Sequence, residues 1–283
     1  MASRRAAVEG RAFSFDHGAQ YFTVRDAGFA AQVRRWEAAG AAGRWTGAGS
    51  DWWVGTPTMS APVRALAEAA DVRWATRIDA LVRRDEGWHL AGTKEGGGFD
   101  AVVVATPAEQ AVALLAAHAP AFAAAAALSR SDPCWTAMAA FGSALDGVPG
   151  VIRDAGAIGW AARDSAKPGR EGPEAWVIQA SPDWSRAHLE DDPASVALDL
   201  LALFARHAGA TLPEPVTLTA HRWRYARSTP GPHPGEALWS RSLGIGVCGD
   251  WLVAPRVEGA WLSGRRLADR MIADAGSIGA VSA

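Results

Sequence analysis

Asparagine is absent from the 283 residues, lysine occurs only at Lys94 and Lys167, tyrosine only at Tyr21 and Tyr225, and cysteine only at Cys134 and Cys248. Two cysteines, both in apolar runs, exclude a secreted disulfide framework and a four-thiolate metal centre, so a reducing compartment and a cytoplasmic location are expected. The 7 histidines show neither H-E-x-x-H nor paired Cys/His spacing, and no metal site is expected. An excess of one charge is also lacking, because 28 Lys+Arg face 30 Asp+Glu for a net charge of −2. The arginine pairs Arg34–Arg35, Arg83–Arg84 and Arg265–Arg266 lie on separate segments, so no nucleic-acid partner is expected. Long hydrophobic runs are missing as well. Ala111 to Leu128 is mostly alanine, holds His118 and is interrupted by Pro120, which falls short of a membrane span, and no apolar leader follows the charged start. Neither G-x-S-x-G nor a Walker A loop is found, so hydrolase and P-loop chemistry lack support.

What is present is a globular composition, 49% hydrophobic and 20% charged, of a length that suits one large or two modest domains. Arg11 to Asp16 alternates with Phe13 and Phe15 on one face, as a half-buried strand does, and runs into a crowded turn at residues 16 to 22. Asp26 can cap a helix carrying Phe29, Val33 and Trp36 on one stripe, with Gly40 at its stop. A second helix is expected near Ser60 with Pro62 in its first turn. From Val72 the pattern predicts strands at Val72 to Thr76, Ile78 to Arg84, Trp88 to Thr93 and Phe99 to Thr106, with a Gly96-Gly97-Gly98 loop, which together form a meander feeding a buried strand. Pro107 opens a helix to about His118. Further strands are expected at Cys134 to Phe141, Ala175 to Ala180, Val216 to Trp223 and Leu243 to Gly249, and helices at Pro193 to Ala208 and Val257 to Ala273. The overall expectation is a mixed α/β fold, and most of the 14 tryptophans are expected to fill cores.

Gly244-Ile-Gly246-Val-Cys-Gly249 matches G-x-G-x-x-G, yet its glycines lie within a strand and no helix starts among them, so it does not read as a pyrophosphate loop. The run from Gly249 to Gly264 is more specific. An acid just beyond a buried strand, Asp250, suits a ligand hydroxyl. The helix start at Val257 to Ala260 offers unpaired backbone N–H groups for a ligand atom that gains negative charge, with Gly259 and Ala260 allowing close approach. An amphipathic helix with a polar cap is the competing account.

Four segments in order carry a resemblance: Asp16-His-Gly-Ala-Gln-Tyr-Phe-Thr23, Val103-Val-Ala-Thr-Pro107, His221-Arg-Trp-Arg-Tyr-Ala226 and the run at 249 to 264. Over nearly its whole length the chain resembles the renalase-like branch of the FAD-dependent amine oxidase superfamily. The resemblance implies a Rossmann-like FAD domain with a parallel sheet and β-meander (residues 1–25, 56–128 and 241–283), interleaved with a mixed-sheet substrate domain (26–55 and 129–240). It implies FAD as cofactor and hydride transfer from a small substrate, an amine or a reduced nicotinamide, to flavin N5, with reoxidation commonly by oxygen. It places Asp250 at the ribityl chain, Val257, Glu258, Gly259 and Ala260 at flavin N1 and the C2 carbonyl, Gly18, Ala19 and Gln20 near the ring, and Ile78 at the adenine, with Gly249 also counted as cofactor-binding.

The family opens with a strand, a glycine-rich turn, a helix and an acid-ended strand, then a Gly-Gly-Arg-Met segment. Met1-Ala-Ser-Arg4-Arg5 resembles what comes at and after that methionine, so the unit holding pyrophosphate and ribose is not found in this sequence. Its loss is expected to weaken cofactor binding by roughly three orders of magnitude. Either the start is set too late, or the protein is a shortened relative; the alternative function is then a non-catalytic, flavoprotein-like binding module. No single acid or base is required by the chemistry, and none is singled out. Substrate-pocket candidates are Gln20, Tyr21, Trp223 and Tyr225. Strand alternation puts Arg222 and Arg224 on the face opposite Trp223 and Tyr225. His17 is expected to be a surface or turn residue.

Overall fold

The computed structural model describes residues 1–276 except 9, 48, 50, 94–97, 210, 230, 232–234 and 236. In chain order the elements are β1 (Arg4–Val8), β2 (Arg11–Phe15), α1 (Ala27–Ala38), β3 (Ala42–Arg44), β4 (Trp53–Gly55), α2 (Ala61–Ala67), β5 (Ala80–Arg84), β6 (Gly87–Ala91), β7 (Val102–Val104), α3 (Ala108–Leu115), α4 (Pro120–Ala127), β8 (Arg130–Ala140), β9 (Val151–Ala155), β10 (Ile158–Arg163), β11 (Ala175–Ala180), α5 (Pro182–Ala187), α6 (Pro193–Ala208), β12 (Thr217–Thr229), β13 (Leu238–Ser240), β14 (Ile245–Val247) and α7 (Val257–Gly276). The fold is mixed α/β, as expected. It forms two compact units, Met1–Ala70 with Asp132–Arg227, and Asp71–Ser131 with Ser228–Ala283. Residues 1–25 and 56–70 thus share a unit with 132–227.

The first unit is built on a five-stranded sheet in the order β12-β8-β11-β10-β9, with each neighbouring pair from β8 to β9 antiparallel. Both faces of its centre are covered. Trp135, Ala137, Ala139, Trp176 and Ile178 pack with Val196, Leu200 and Phe204 of α6. The alternate residues Met138, Ala140, Ala175 and Val177 pack with Phe13 and Phe15, carried by the antiparallel hairpin of β1 and β2. Two-sided burial is why Ala175 to Ala180 is apolar without alternation. Asp26 acts as the predicted cap, and the structure adds Asp192 as a second one. Asp26 accepts the Phe29 N–H at 2.9 Å, and Asp192 accepts the N–H groups of Ala194 and Ser195 at 2.9 and 3.1 Å, each replacing helix partners that the first turn lacks.

In the second unit β7 and β14 are parallel and β13 joins antiparallel to β14. Leu81, Trp88, Val104, Ala111, Leu115, Ile245 and Val247 form its core. β5 and β6 form a hairpin, and Phe99 adds one bridge to Trp88.

Several boundaries differ from the sequence reading. Residues 72–76 form no strand: the chain turns at Trp74–Ala75, with Ala75 at φ +53°, and Trp74 is 68% exposed. The expected strand Phe99 to Thr106 is interrupted: Phe99 makes its isolated bridge and only Val102–Val104 form a strand. Gly96 and Gly97 of the expected loop lie outside the described residues. The alanine-rich run splits at Pro120 into α3 and α4, and among the described residues no helix is long and apolar enough to cross a membrane. β1 carries little hydrophobic signal of its own; pairing with β2 makes it a strand.

Phe204→Ala should lower the free energy of unfolding by about 3–5 kcal/mol through the cavity it leaves. Leu198→Ala, at a residue of the same helix that is 62% exposed, should cost less than about 1 kcal/mol. Urea denaturation of both variants checks the assignment of the α6 inner face, and equal losses would contradict it.

Candidate active site

The turn that begins at Asp16 leaves β2 directly after the inward-facing Phe15, so its first residue enters the interior. Asp16 is fully buried. Its carboxylate accepts the Ser3 hydroxyl at 2.7 Å and the Met59 N–H at 2.9 Å. The Lys167 ammonium lies 3.4 Å away and the Arg170 guanidinium pairs with the same oxygen. The Asp16 N–H donates to Asp164 Oδ2 at 3.0 Å. Asp164, in a single 3-10 turn after β10, lies 2.6 Å from Lys167 Nζ. Two carboxylates and two cations therefore balance with hardly any exposure to water. Burial alone would raise the Asp16 carboxyl, but Lys167 and Arg170 outweigh it and hold it below the usual carboxylate value. At Asp164 burial outweighs the lysine, and its carboxyl is raised.

Gln20 is part of this network. Its amide nitrogen donates to the carbonyls of Asp16 and Gly18, and its oxygen accepts Lys167 Nζ at 3.1 Å. The amide is thus spent in internal bonds. The Gly18 carbonyl also accepts Gln179 Nε2 at 2.9 Å. Sequence reasoning did not single out Lys167, Asp164 or Arg170. One signal was available: a lysine retained in a chain that otherwise uses arginine is a position where a compact ammonium has a task.

Beyond Gln20, Tyr21 stacks on Trp52 with ring centroids 4.0 Å apart and 11° between planes, and Trp160 lies 5.3 Å from Tyr21. His17 keeps its place in the turn but leaves the surface, being 6% exposed. The Trp223 indole N–H donates to the His17 carbonyl at 2.8 Å, and the two rings are 5.2 Å apart. Trp223 is half-buried, whereas Tyr225 on the same strand face is 40% exposed. Arg222 and Arg224, on the alternate face of β12, are both engaged by Glu190 at 3.0 and 2.6 Å. Burial, with the neighbouring His221 and Arg4, pushes the His17 imidazole down to about 4.

In the second unit the G-x-G-x-x-G glycines are turn and strand positions. Gly244 turns at φ +63°, and Gly246 sits in β14 where a side chain would press on Leu267 of α7. After β14 the Gly249 N–H donates to Ser263 Oγ of α7 at 3.0 Å. Asp250 opens a single 3-10 turn and is half-buried. Burial raises its carboxyl, with the nearby Ser228 hydroxyl acting against it and the charge of Glu109 adding to it. Val257, Glu258, Gly259 and Ala260 form the first turn of α7. Gly259 packs directly on the Ala254 carbonyl, where a Cβ would collide, so close backbone packing explains the glycine. Glu258 is buried and Ala260 exposed. Ile78 packs against the core of this unit. Gly249, Asp250 and the α7 start are thus held together in one unit, while Gly18, Ala19, Gln20, Tyr21, Trp223 and Tyr225 belong to the other. Among the described residues no group of three or more His, Cys, Asp or Glu side chains is arranged to hold a metal ion.

Residues 34–272 match the family described as flavin containing amine oxidoreductase. Among solved structures, cyclohexylamine oxidase from Brevibacterium oxydans IH-35A is similar at a TM-score of 0.62 and 13% identity, over 81% of this chain and 55% of that one. A protein of Exiguobacterium sp. 255-15 assigned as a protoporphyrinogen oxidase gives 0.60 and 17%, over 81% and 53%. Putrescine oxidase bound to putrescine gives 0.56 and 16%, over 78% and 54%. The chain spans about half the length of each of these structures.

Lys167→Met should cost about 3–5 kcal/mol, because it leaves buried carboxylates short of a cation. It should also move acid unfolding to higher pH. A carboxyl held below its ordinary value of 3.8 stabilises the fold above that value and loses this contribution as pH falls through the folded value. Without Lys167 the folded value of Asp16 rises and the gap closes. Urea denaturation from neutral pH down to about pH 3 reads both effects, and an acid limb that stays where it is would contradict the ion-pair assignment.

Proposed function

This chain belongs to the flavin containing amine oxidoreductase family, and we propose that within it the protein is a renalase-like, FAD-dependent oxidoreductase acting on a small amine or reduced nicotinamide. Bound FAD supplies a hydride acceptor at N5, with oxygen as the proposed reoxidant. The observation that carries the reading is the junction after β14, where the half-buried Asp250 and the first turn of α7 lie side by side in one unit.

That junction fits the cofactor in two respects. A carboxylate beyond a strand end can accept hydrogen bonds from the ribityl hydroxyls, and the positive end of the helix dipole at the first turn of α7 favours a ring that takes on negative charge. Val257, Glu258, Gly259 and Ala260 are assigned to the ring, Gly249 and Asp250 to the ribityl chain, and Ile78 to the adenine. Gly18 and Ala19 are assigned a ring-side role, held by the network around Asp16. Gln20, Tyr21, Trp223 and Tyr225 are assigned to substrate, with residues 1–25, 56–128 and 241–283 as the FAD domain and 26–55 and 129–240 as the substrate domain. With Gln20 bonded inward, its part is to hold the turn, and the aromatic residues orient the donor carbon and exclude water.

The test is the visible absorption of the 283-residue chain after incubation with excess FAD and removal of free cofactor. Retained flavin bands would mean that the ring and ribityl contacts suffice without the pyrophosphate and ribose unit, and would support the reading. Asp250→Ala should weaken retention by about tenfold or more, the equivalent of one charge-assisted hydrogen bond, while Asp100→Ala, at an exposed position of the same unit, should leave it unchanged. Equal retention by the two variants would remove Asp250 from the ribityl site. A folded but colourless protein would favour the flavoprotein-like binding module without catalysis.

A further inference from the structure

In the first unit, groups able to carry positive charge converge beside the turn at Asp16. Arg4 is register partner to Phe15 in the β1–β2 hairpin, so it lies on the same side of that ribbon as Phe15 and Arg5 on the other, although both arginines are exposed. The Arg4 Nη2 lies 3.4 Å from Nδ1 of His221 on β12. A guanidinium only donates, so this His221 nitrogen is the acceptor, and the neutral ring carries its proton on Nε2. The His17 ring stands edge-on to His221 with centroids 5.1 Å apart. His17 is 6% exposed, and its Nδ1 is buried without a hydrogen-bond partner among the described residues.

No carboxylate among the described residues is free to answer this cluster. The charged and titratable groups facing His17 are His221 from β12, Arg4 from β1 and Asp16 from its own turn, with the Phe15 backbone also favouring the charged ring, and the Asp16 oxygens are already held by Ser3, Met59, Lys167 and Arg170. The contrast with the other face of β12 is informative, since Arg222 and Arg224 have Glu190 there. Burial together with the Arg4 charge pushes His221 down, as burial, His221 and Arg4 do for His17. Burial is the larger cause of both shifts and the like charges beside the rings the smaller one, and it is the second of these that an anion would offset.

We infer that Arg4, His17 and His221 form a subsite for an oxyanion, a carboxylate or phosphate group carried by the small-molecule substrate. Only the anion's place on a substrate rests on the proposed oxidoreductase reading; its binding does not. The anion accepts from the guanidinium and from the imidazoles, relieves their mutual repulsion and favours the protonated rings. Binding therefore takes up protons and tightens as pH falls.

The test is NMR of the histidine rings in the full chain, titrated with inorganic phosphate and, separately, with acetate, at pH about 6 and about 8, on either side of the ordinary histidine value. The two rings should respond saturably, with apparent pKa values raised by the anion and tighter binding at the lower pH. Arg4→Gln should weaken the anion by about tenfold and raise both histidine pKa values without it, whereas Arg5→Gln should do neither. A response to either anion supports the subsite, and the tighter one names its class. Rings that ignore both anions, or equal effects of Arg4→Gln and Arg5→Gln, would overturn it. No flavin or turnover enters the readout, so failure of the oxidoreductase reading and failure of the subsite are distinguishable.

Discussion

The ion-pair network of Asp16, Asp164, Lys167 and Arg170 is the constraint on which the site half of the first unit depends. Through it the segments at Ser3, Asp16, Met59 and the loop after β10 share one set of bonds, and Arg170 adds the Gly55 carbonyl at 2.7 Å. Loops ordinarily run over the surface because their backbone groups need partners. Here four of them meet inside, which is tolerable because charged side chains supply those partners. Such a network gains little in net stability over an apolar core, but removing one member leaves an uncompensated charge. Its contribution is to hold one geometry for the turn that carries His17, Gly18, Ala19, Gln20 and Tyr21.

The apolar scaffold does the complementary task. The central sheet of the first unit is packed by α6 on one face and by the β1–β2 hairpin on the other. Residues of β8 and β11 alternate between two cores, not between core and water. That arrangement keeps β12 in register beside β8 and sorts its residues by chemistry: Trp223 turns toward the His17 turn, while Arg222 and Arg224 turn to Glu190. In the second unit the same economy is seen at the end of β14. A parallel strand pair delivers Gly249 and Asp250 to the start of α7, and Gly246 and Gly259 allow the strand, the intervening turn and the helix to approach closely.

Much of this was legible from local pattern. The cap Asp26, the stripe Phe29, Val33 and Trp36, the span of α6 and the strand at β11 all follow from spacing. So did the rejection of the G-x-G-x-x-G match, because a helix has to begin inside such a loop and none does. The misses share a cause. Val72 to Thr76 carries strand-like alternation but finds no partner strand among the described residues, whereas β1 has almost no alternation and becomes a strand by pairing with β2. Strand identity is settled by a neighbour distant in sequence, and alternation alone does not report one.

The same division holds for the site. By itself the sequence determined the α/β class, the strand-end acid followed by a helix start at Asp250 to Ala260, the aromatic residues at Tyr21 and Trp223, and the separation of arginines from aromatics along β12, because each of these is a property of residues close together in the chain. Only the tertiary structure decided that Lys167 and Asp164 neutralise and position Asp16 across about 150 residues of chain, that the Gln20 amide is spent inward, and that His17 is buried against His221 and Trp223. Charge compensation in a low-dielectric interior acts through space, and its partners share no spacing along the chain by which they could be found.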